Sequence, residues 1–211
     1  MEPRDVAAII LAAGAGSRFG EEPKLLADLD GRPVLQHVLD AVDAFTPAET
    51  VVVLGHAADR IEAGVTWRAE RRVTNPDPGR GLSSSVRVGL EALAGSRAAA
   101  ALIVLGDQPQ VSVAVMGALL AEARAQPERP IVVPLYASDG GRNPVLLRHA
   151  AWPLAAALSG DRGFGPLIAA HPELVAEVAV EGDNPDIDTP ADLQSRRSTS
   201  PIRPNGGRGS V

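Results

Sequence analysis

Arg18 and Lys24 close the segment Leu11-Ala-Ala-Gly-Ala-Gly-Ser-Arg-Phe-Gly-Glu-Glu-Pro-Lys24, in which Gly14, Gly16 and Gly20 break away from an apolar run. Glycines let the chain turn tightly with its amides exposed, and two nearby cations can then meet polyphosphate oxygens. The chemistry expected of such a segment is phosphate binding. It is not a Walker loop, because the lysine-serine ending is missing, and the dinucleotide spacing Gly-x-Gly-x-x-Gly is met only in part. A plain glycine turn with two solvated basic residues satisfies the same letters; placement directly after a buried run favours the cradle.

Two acidic motifs could complete the site. Asp107, in Leu105-Gly-Asp-Gln-Pro109, follows another apolar run, where a carboxylate either holds Mg²⁺ beside phosphates or caps a turn. Asn184-Pro-Asp-Ile-Asp188 offers Asp188 as a second carboxylate, with Asp186 as its substitute, or serves only as a turn before a helix. Gly79-Arg-Gly-Leu-Ser-Ser-Ser85 can present hydroxyls and helix-start amides to a nucleotide, or simply cap its helix. Arg80 and Arg87 are further phosphate candidates whose alternative is surface solvation. His37, His56, His149 and His171 show no zinc spacing and need no catalytic role, with His56 slightly favoured among them because it follows the second strand.

Holding these groups together requires strands that end at one edge. Val6 to Ala12, Thr50 to Leu54 and Ala100 to Leu105 are apolar runs without alternation, the pattern of strands covered on both faces. Val34, Leu35, Val38, Leu39, Val42 and Phe45 recur at helical spacing, as do Leu82, Val86, Leu90 and Leu93 with Ser83 or Ser84 as cap. A helix is predicted from about Ser112 to Ala125, a strand at Ile131 to Val133 and an exposed loop from Tyr136 to Asn143. A short strand follows at Pro144 to Leu147, then a helix from Ala150 to Leu158 and an edge strand at Leu174 to Val180. Thr189-Pro-Ala-Asp192 reads as a helix start. The alternation predicts an α/β fold: a three-layer α/β/α sandwich, Rossmann-like, with a mostly parallel sheet and its ligands beyond the carboxyl ends of the strands. One domain is expected over 1–195, its nucleotide half about 6–110 and its acceptor half about 111–195. The stretch from Ser195 through 196–211, rich in Ser, Arg, Gly and Pro, is expected to be a disordered tail.

Composition narrows the classes. The 211 residues contain no cysteine, which excludes a disulfide framework, thiolate metal sites and a cysteine nucleophile. The net charge of −6 argues against a nucleic-acid partner, and no apolar stretch approaches a membrane span. The expected location is cytoplasmic.

Together the three motifs carry a resemblance. Over Val6 to Leu193 the chain resembles the MobA-like NTP transferases of the molybdenum-cofactor type, most nearly their cytidylyltransferases. Gly81-Leu-Ser-Ser-Ser-Val-Arg-Val-Gly-Leu90, Ser159-Gly-Asp-Arg-Gly163 and Asp186-Ile-Asp-Thr-Pro190 reinforce it. The resemblance implies transfer of the cytidylyl group of CTP to the terminal phosphate of molybdopterin, with Mg²⁺ as cofactor and pyrophosphate released. It implies that Leu11, Ala12, Ala13, Gly14 and Gly16 form the wall beside the nucleotide. Arg18 and Lys24 would bind the triphosphate. Asp107 and Asp188 would ligate Mg²⁺, and Lys24, Arg18 and Asp107 would carry catalysis. Asn75, Gly81, Ser83 and Ser85 would border the base and ribose. Asn143, Pro144, Gly160, Asp161 and Phe164 would face the acceptor. A transient contact with a molybdoenzyme or its maturation protein is also implied.

Two departures bear on the acceptor. Asn143 stands where a histidine or small polar residue usually precedes the proline, and Phe164-Gly165 replaces a small residue and an arginine, which weakens the case for a large anionic pterin. The double alanine Ala12-Ala13 resembles cytidylyl enzymes, so CTP is preferred to GTP. Transfer to another phosphorylated acceptor, and a non-catalytic nucleotide-binding partner, are the alternatives. A Rossmann oxidoreductase is disfavoured because no acidic ribose-binding residue is clearly placed after the second strand.

Overall fold

All seven residues of β1 (Val6–Ala12) are buried, and alternation explains how one apolar run serves two cores. Val6, Ala8, Ile10 and Ala12 pack into one hydrophobic cluster, whereas Ala7, Ile9 and Leu11 pack into another on the opposite face of the sheet. The computed structural model describes residues 1–20, 22–138 and 141–197. The expected tail from residue 198 onward, and residues 139–140 of the expected loop, lie outside the described residues.

After β1 come a small hairpin of β2 (Asp28–Leu29) and β3 (Arg32–Pro33), then α1 (Val34–Phe45), β4 (Glu49–Leu54), α2 (Ala58–Gly64) and β5 (Arg71–Thr74). Next are α3 (Leu82–Ala92), β6 (Ala100–Leu105), α4 (Val113–Ala125), β7 (Ile131–Tyr136) and β8 (Val145–Arg148). The chain closes with α5 (Gly165–Ala170), β9 (Val175–Val180) and α6 (Pro190–Arg196). The main sheet has the order β5-β4-β1-β6-β8-β7-β9. Only β8 runs against the rest, paired antiparallel to both β6 and β7. Residues of α1 and α4 fill the cluster on one face and residues of α3 and α5 the cluster on the other, which makes the three-layer α/β/α sandwich.

Three local expectations change. In place of the helix expected over 150–158 there is a 3-10 helix, His149–Ala157, with Pro153 inside it, a residue that lacks the amide an α-helix interior needs. Ser195 and Arg196 belong to α6 rather than to a tail, and Arg196 pairs with Asp183 at 2.8 Å. Neither Ser83 nor Ser84 caps α3: the Ser84 hydroxyl turns back to the Gly81 carbonyl at 2.7 Å, and the Leu82 amide is taken by the Asp161 carboxylate at 3.1 Å. That cap comes from 79 residues away.

Among the described residues no helix is long and apolar enough to cross a membrane.

Candidate active site

The carboxyl ends of β1 and β6 lie side by side, with Leu11 in register with Leu105 and the Gly106 amide donating to the Leu11 carbonyl at 2.9 Å. The chain runs from β1 to β4 on one side and later returns to β6 on the other, so strand order reverses at β1. Such a reversal opens a crevice at the strand ends. The glycine loop and the Asp107 turn both emerge into it.

Lys24 opens a 3-10 turn, Lys24–Leu26, that is anchored by the buried Leu25. Gly16, at φ +58°, passes so close that a Cβ there would lie 2.9 Å from the Lys24 Cγ; only glycine combines that backbone with that approach. The ammonium donates to Asp107 Oδ2 at 2.5 Å and to Asp188 Oδ1 at 3.0 Å, and its side chain is only 12% exposed. Arg18 reaches Asp188 Oδ2 at 3.4 Å from the solvent side.

Asp188 is held by the start of α6. The amides of Asp188 and Thr189 donate to Asp192 Oδ2 at 3.1 and 2.7 Å, while the Asp192 amide donates to Thr189 Oγ1 at 3.2 Å. This is the capping box expected from the sequence. The Ile187 amide donates to the Asp107 carbonyl at 2.9 Å and ties the two acidic turns together. Asp186 faces the crevice beside them and accepts from Gln108 Nε2 at 2.8 Å.

The electrostatics follow from this crowding. Burial by itself lowers the Lys24 pKa, but the charge of Asp107 and the hydrogen bonds to Asp107 and Asp188 outweigh it, and the net shift is upward from 10.5. Asp186 is pushed up, first by desolvation in the concave site and then by the Asp107 charge, against a lowering by the Gln108 hydrogen bond. Four acidic side chains, Asp107, Asp161, Asp186 and Asp188, thus share a crevice with the two cations Arg18 and Lys24, an excess of negative charge that favours a further cation.

A divalent metal fits that excess. Asp107 and Asp188 already converge on one cationic nitrogen, so their oxygens are aimed at a common point. Among the described residues no group of three or more acidic, histidine or cysteine side chains forms a metal site. Mg²⁺ suits such a donor set, because it commonly takes one or two carboxylates and completes its shell with phosphate and water oxygens.

The crevice is a cavity of about 600 Å³. Leu11, Ala13, Gly14, Gly16, Arg18 and Lys24 line it from the first loop. Gly81 and Ser85 face it from the start of α3, opposite Asp107, Asp186 and Asp188. A second cavity, of about 330 Å³, adjoins it and shares Leu11, Leu82, Leu105, Asp161 and Asp186 with it. Asn143, Asp161 and Phe164 line this second space, and Phe164 is buried against its apolar floor.

Several expected contacts do not form. Ala12 is buried and turns toward the α1 and α4 layer, as alternation along β1 demands. Ser83 is buried, and its amide donates to the Gly160 carbonyl at 3.1 Å. Asn75 is buried as well: its amide nitrogen donates to the hydroxyls of Ser84 and Ser85 at 2.8 and 3.0 Å, while its oxygen accepts from the Asp77 amide at 3.0 Å. Asn75 is thus engaged in bracing the loop. Pro144 and Gly160 line neither cavity, nor do Arg80 and Arg87. Gly160 instead presses against Gly81, where a Cβ would lie 2.6 Å from its carbonyl carbon.

His56 does line the larger cavity, because its amide is drawn to the Ala13 carbonyl at 3.2 Å. His37 bonds the Leu29 carbonyl at 2.8 Å, and the His149 ring lies tilted against Trp152 with centroids 4.4 Å apart. The resemblance placed the segments Gly141-Arg-Asn-Pro144 and Ser159-Gly-Asp-Arg-Gly163 on the acceptor side, and Arg142 and Arg162 of those segments do line the second cavity, whereas Pro78, Val86 and Ile103 were not singled out as lining residues, since each depends on which distant elements meet.

Asn75→Ala is expected to lower stability by about 1–3 kcal/mol, the range for orphaning buried hydrogen-bonding groups. Urea unfolding would register this as a lower midpoint at unchanged slope.

Comparison with known proteins places residues 8–175 within the MobA-like NTP transferase domain. The bifunctional protein GlmU of Sphingopyxis alaskensis is 40% identical over 129 residues, covering 61% of this chain and 28% of that protein. The chain thus corresponds to under a third of that relative's length. Among solved structures, Rv0371c of Mycobacterium tuberculosis H37Rv matches with a TM-score of 0.81 at 30% identity, covering 93% of this chain and 98% of that one. Its complex with manganese matches at 0.77 and 28% identity, covering 92% and 99%. A nucleotidyl transferase from Methanothermobacter thermautotrophicus matches at 0.75 and 27%, covering 91% and 95%.

Proposed function

The chain belongs to the MobA-like NTP transferase family, which makes it a nucleotidyltransferase, and from that premise we propose that it moves a nucleotidyl group from CTP to a phosphorylated small-molecule acceptor. The observation that carries this reading is the convergence of Lys24, Asp107 and Asp188 within 3.0 Å contacts at the floor of one cavity.

In the proposed reaction an acceptor phosphate oxygen attacks the α-phosphorus in line. A new P–O bond forms as the bond to the β-phosphate breaks, and pyrophosphate departs with the electron pair. A phosphate is already ionised at neutral pH, so no side chain has to remove a proton. Lys24, held as an ammonium, supplies fixed positive charge where negative charge accumulates between the α- and β-phosphates. Arg18, exposed at the mouth, meets the outer phosphates. The exposed amides of the glycine loop add oriented dipoles. Asp107 and Asp188 would hold Mg²⁺, which when bound neutralises the phosphates and the leaving group. The manganese complex of the mycobacterial relative supports a divalent cation here.

CTP is favoured by the Ala12-Ala13 pair, which resembles that of cytidylyl enzymes and of which Ala13 lines the cavity. Molybdopterin is the acceptor implied by resemblance. The compact second cavity and the aromatic ring of Phe164 instead support the broader class of phosphorylated small molecules.

The test is pyrophosphate release with Mg²⁺, each NTP in turn, and a panel of acceptors containing molybdopterin, phosphorylated sugars, alcohol phosphates and phospholactate. Acceptor-dependent release, fastest with CTP, is expected. Turnover with another acceptor and none with the pterin would select the broader class, and silence across the panel would overturn the transferase reading.

A further inference from the structure

Three cavities lie in a row, and the residues they share order them. The nucleotide cavity adjoins the second one through Asp161 and Asp186, whereas the second adjoins a third, of about 490 Å³, through Arg142, Gly165 and Ile168. The middle cavity is therefore polarised. Carboxylates stand at its nucleotide end, the apolar side chains of Val86, Ile103, Val145 and Phe164 line its body, and Arg142 stands at its far end.

Arg142 is poised for exchange. Its guanidinium pairs with Glu177 at 2.5 Å, but both side chains are more than 40% exposed. An exposed pair of this kind contributes little, so a ligand anion can replace the glutamate without a large penalty. Arg162 lines the same cavity, and no carboxylate pairs with it among the described residues. Two guanidiniums, one loosely paired and one without a carboxylate partner among the described residues, thus border a pocket whose body is apolar. Guanidinium forks bind planar or tetrahedral oxyanions through paired hydrogen bonds.

Building on the transfer reading, we propose that the acceptor carries a second anionic group, of the carboxylate class, at the end opposite its phosphate, and that Arg142 is the specificity-determining residue that reads it. Glu177 pairs with Arg142 in the free protein and competes with the ligand. The apolar body between the two ends suits a short carbon skeleton, whose phosphate then points toward the nucleotide cavity.

The test is calorimetric binding of two probes that differ only at one carbon: 3-phosphoglycerate, with its carboxylate, and glycerol 3-phosphate, with a hydroxymethyl group there. The parent protein is expected to bind the carboxylate probe at least about tenfold more tightly, the scale of one charge-assisted hydrogen bond. Arg142→Gln should close that gap to within about twofold, and Glu177→Gln should tighten the carboxylate probe about two- to fivefold by removing the competitor, both by the same charge-pair reasoning. CTP binding should stay as in the parent in both variants. Equal affinity of the parent for the probes, failure of both to bind, or a gap that survives Arg142→Gln would overturn the proposal. Were Arg142→Gln to lose CTP binding as well, Glu177→Gln would decide, since unchanged affinity there overturns it too. Absence of pyrophosphate release across all acceptors, with the probe gap and its loss intact, would count against the transfer reading alone.

Discussion

Lys24→Ala is expected to lower kcat/KM for nucleotidyl transfer by about 10²–10³-fold, the loss typical of removing one preorganised charge donor from a transition state. Among the described residues the lysine is the one cation that touches both Asp107 and Asp188, and its stem runs close against Gly16. Lys24→Arg should recover little, because a planar fork cannot replace a compact ammonium between two carboxylates. The loss should fall mainly on kcat, measured by pyrophosphate release at saturating CTP. A variant within threefold of the parent would remove Lys24 from the mechanism.

The same variant carries a pH signature. Because the folded pKa of Lys24 lies above its ordinary 10.5, the ion pair contributes stability that is fully present below pH 10.5 and lost as pH rises through the folded value. The stability difference between parent and Lys24→Ala should therefore stay level from neutral pH to about pH 10 and shrink only beyond it. An alkaline fall in activity below that range belongs to another group.

Asp107→Asn is expected to reduce turnover by about 10²–10³-fold, since several kcal/mol of metal-assisted charge stabilisation correspond to two or three decades in rate. Stability should fall much less, by no more than about 1.5–3 kcal/mol for one charged hydrogen bond, because Asp188 still pairs with Lys24. The substitution preserves shape and the backbone contact from the Ile187 amide to the Asp107 carbonyl. Turnover measured against Mg²⁺ concentration is the check. Equal rates in parent and variant at saturating Mg²⁺ would refute the assignment.

The layered fold was legible because its signals are local. Unbroken apolar runs announced β1 and β6, helical spacing announced α1, α3 and α4, and Thr189 with Asp192 announced the start of α6. The antiparallel β8 was recognisable as a strand but not in direction, since direction depends on the partner it meets. Within the site, Lys24, Arg18, Asp107 and Asp188 could be singled out by residue type and by their position at strand ends. Asn75 and Ser83 could not be sorted from true lining residues, because a polar side chain beside a glycine turn looks the same whether it faces a ligand or braces the loop.

By itself, the sequence determined the central strands β1, β4 and β6 and the helices α1, α3 and α4, and that the charged motifs would emerge at one edge of the sheet. Periodicity and capping are short-range properties, written within a few residues. Tertiary structure alone decided that Asp161 would cap α3 from the far half of the chain, that Asp186 would line two adjoining cavities and that Arg142 would stand where the second cavity meets the third. Each of these depends on loops distant in sequence being brought together by packing on both faces of the sheet, and the position of one loop does not encode the side chains of another.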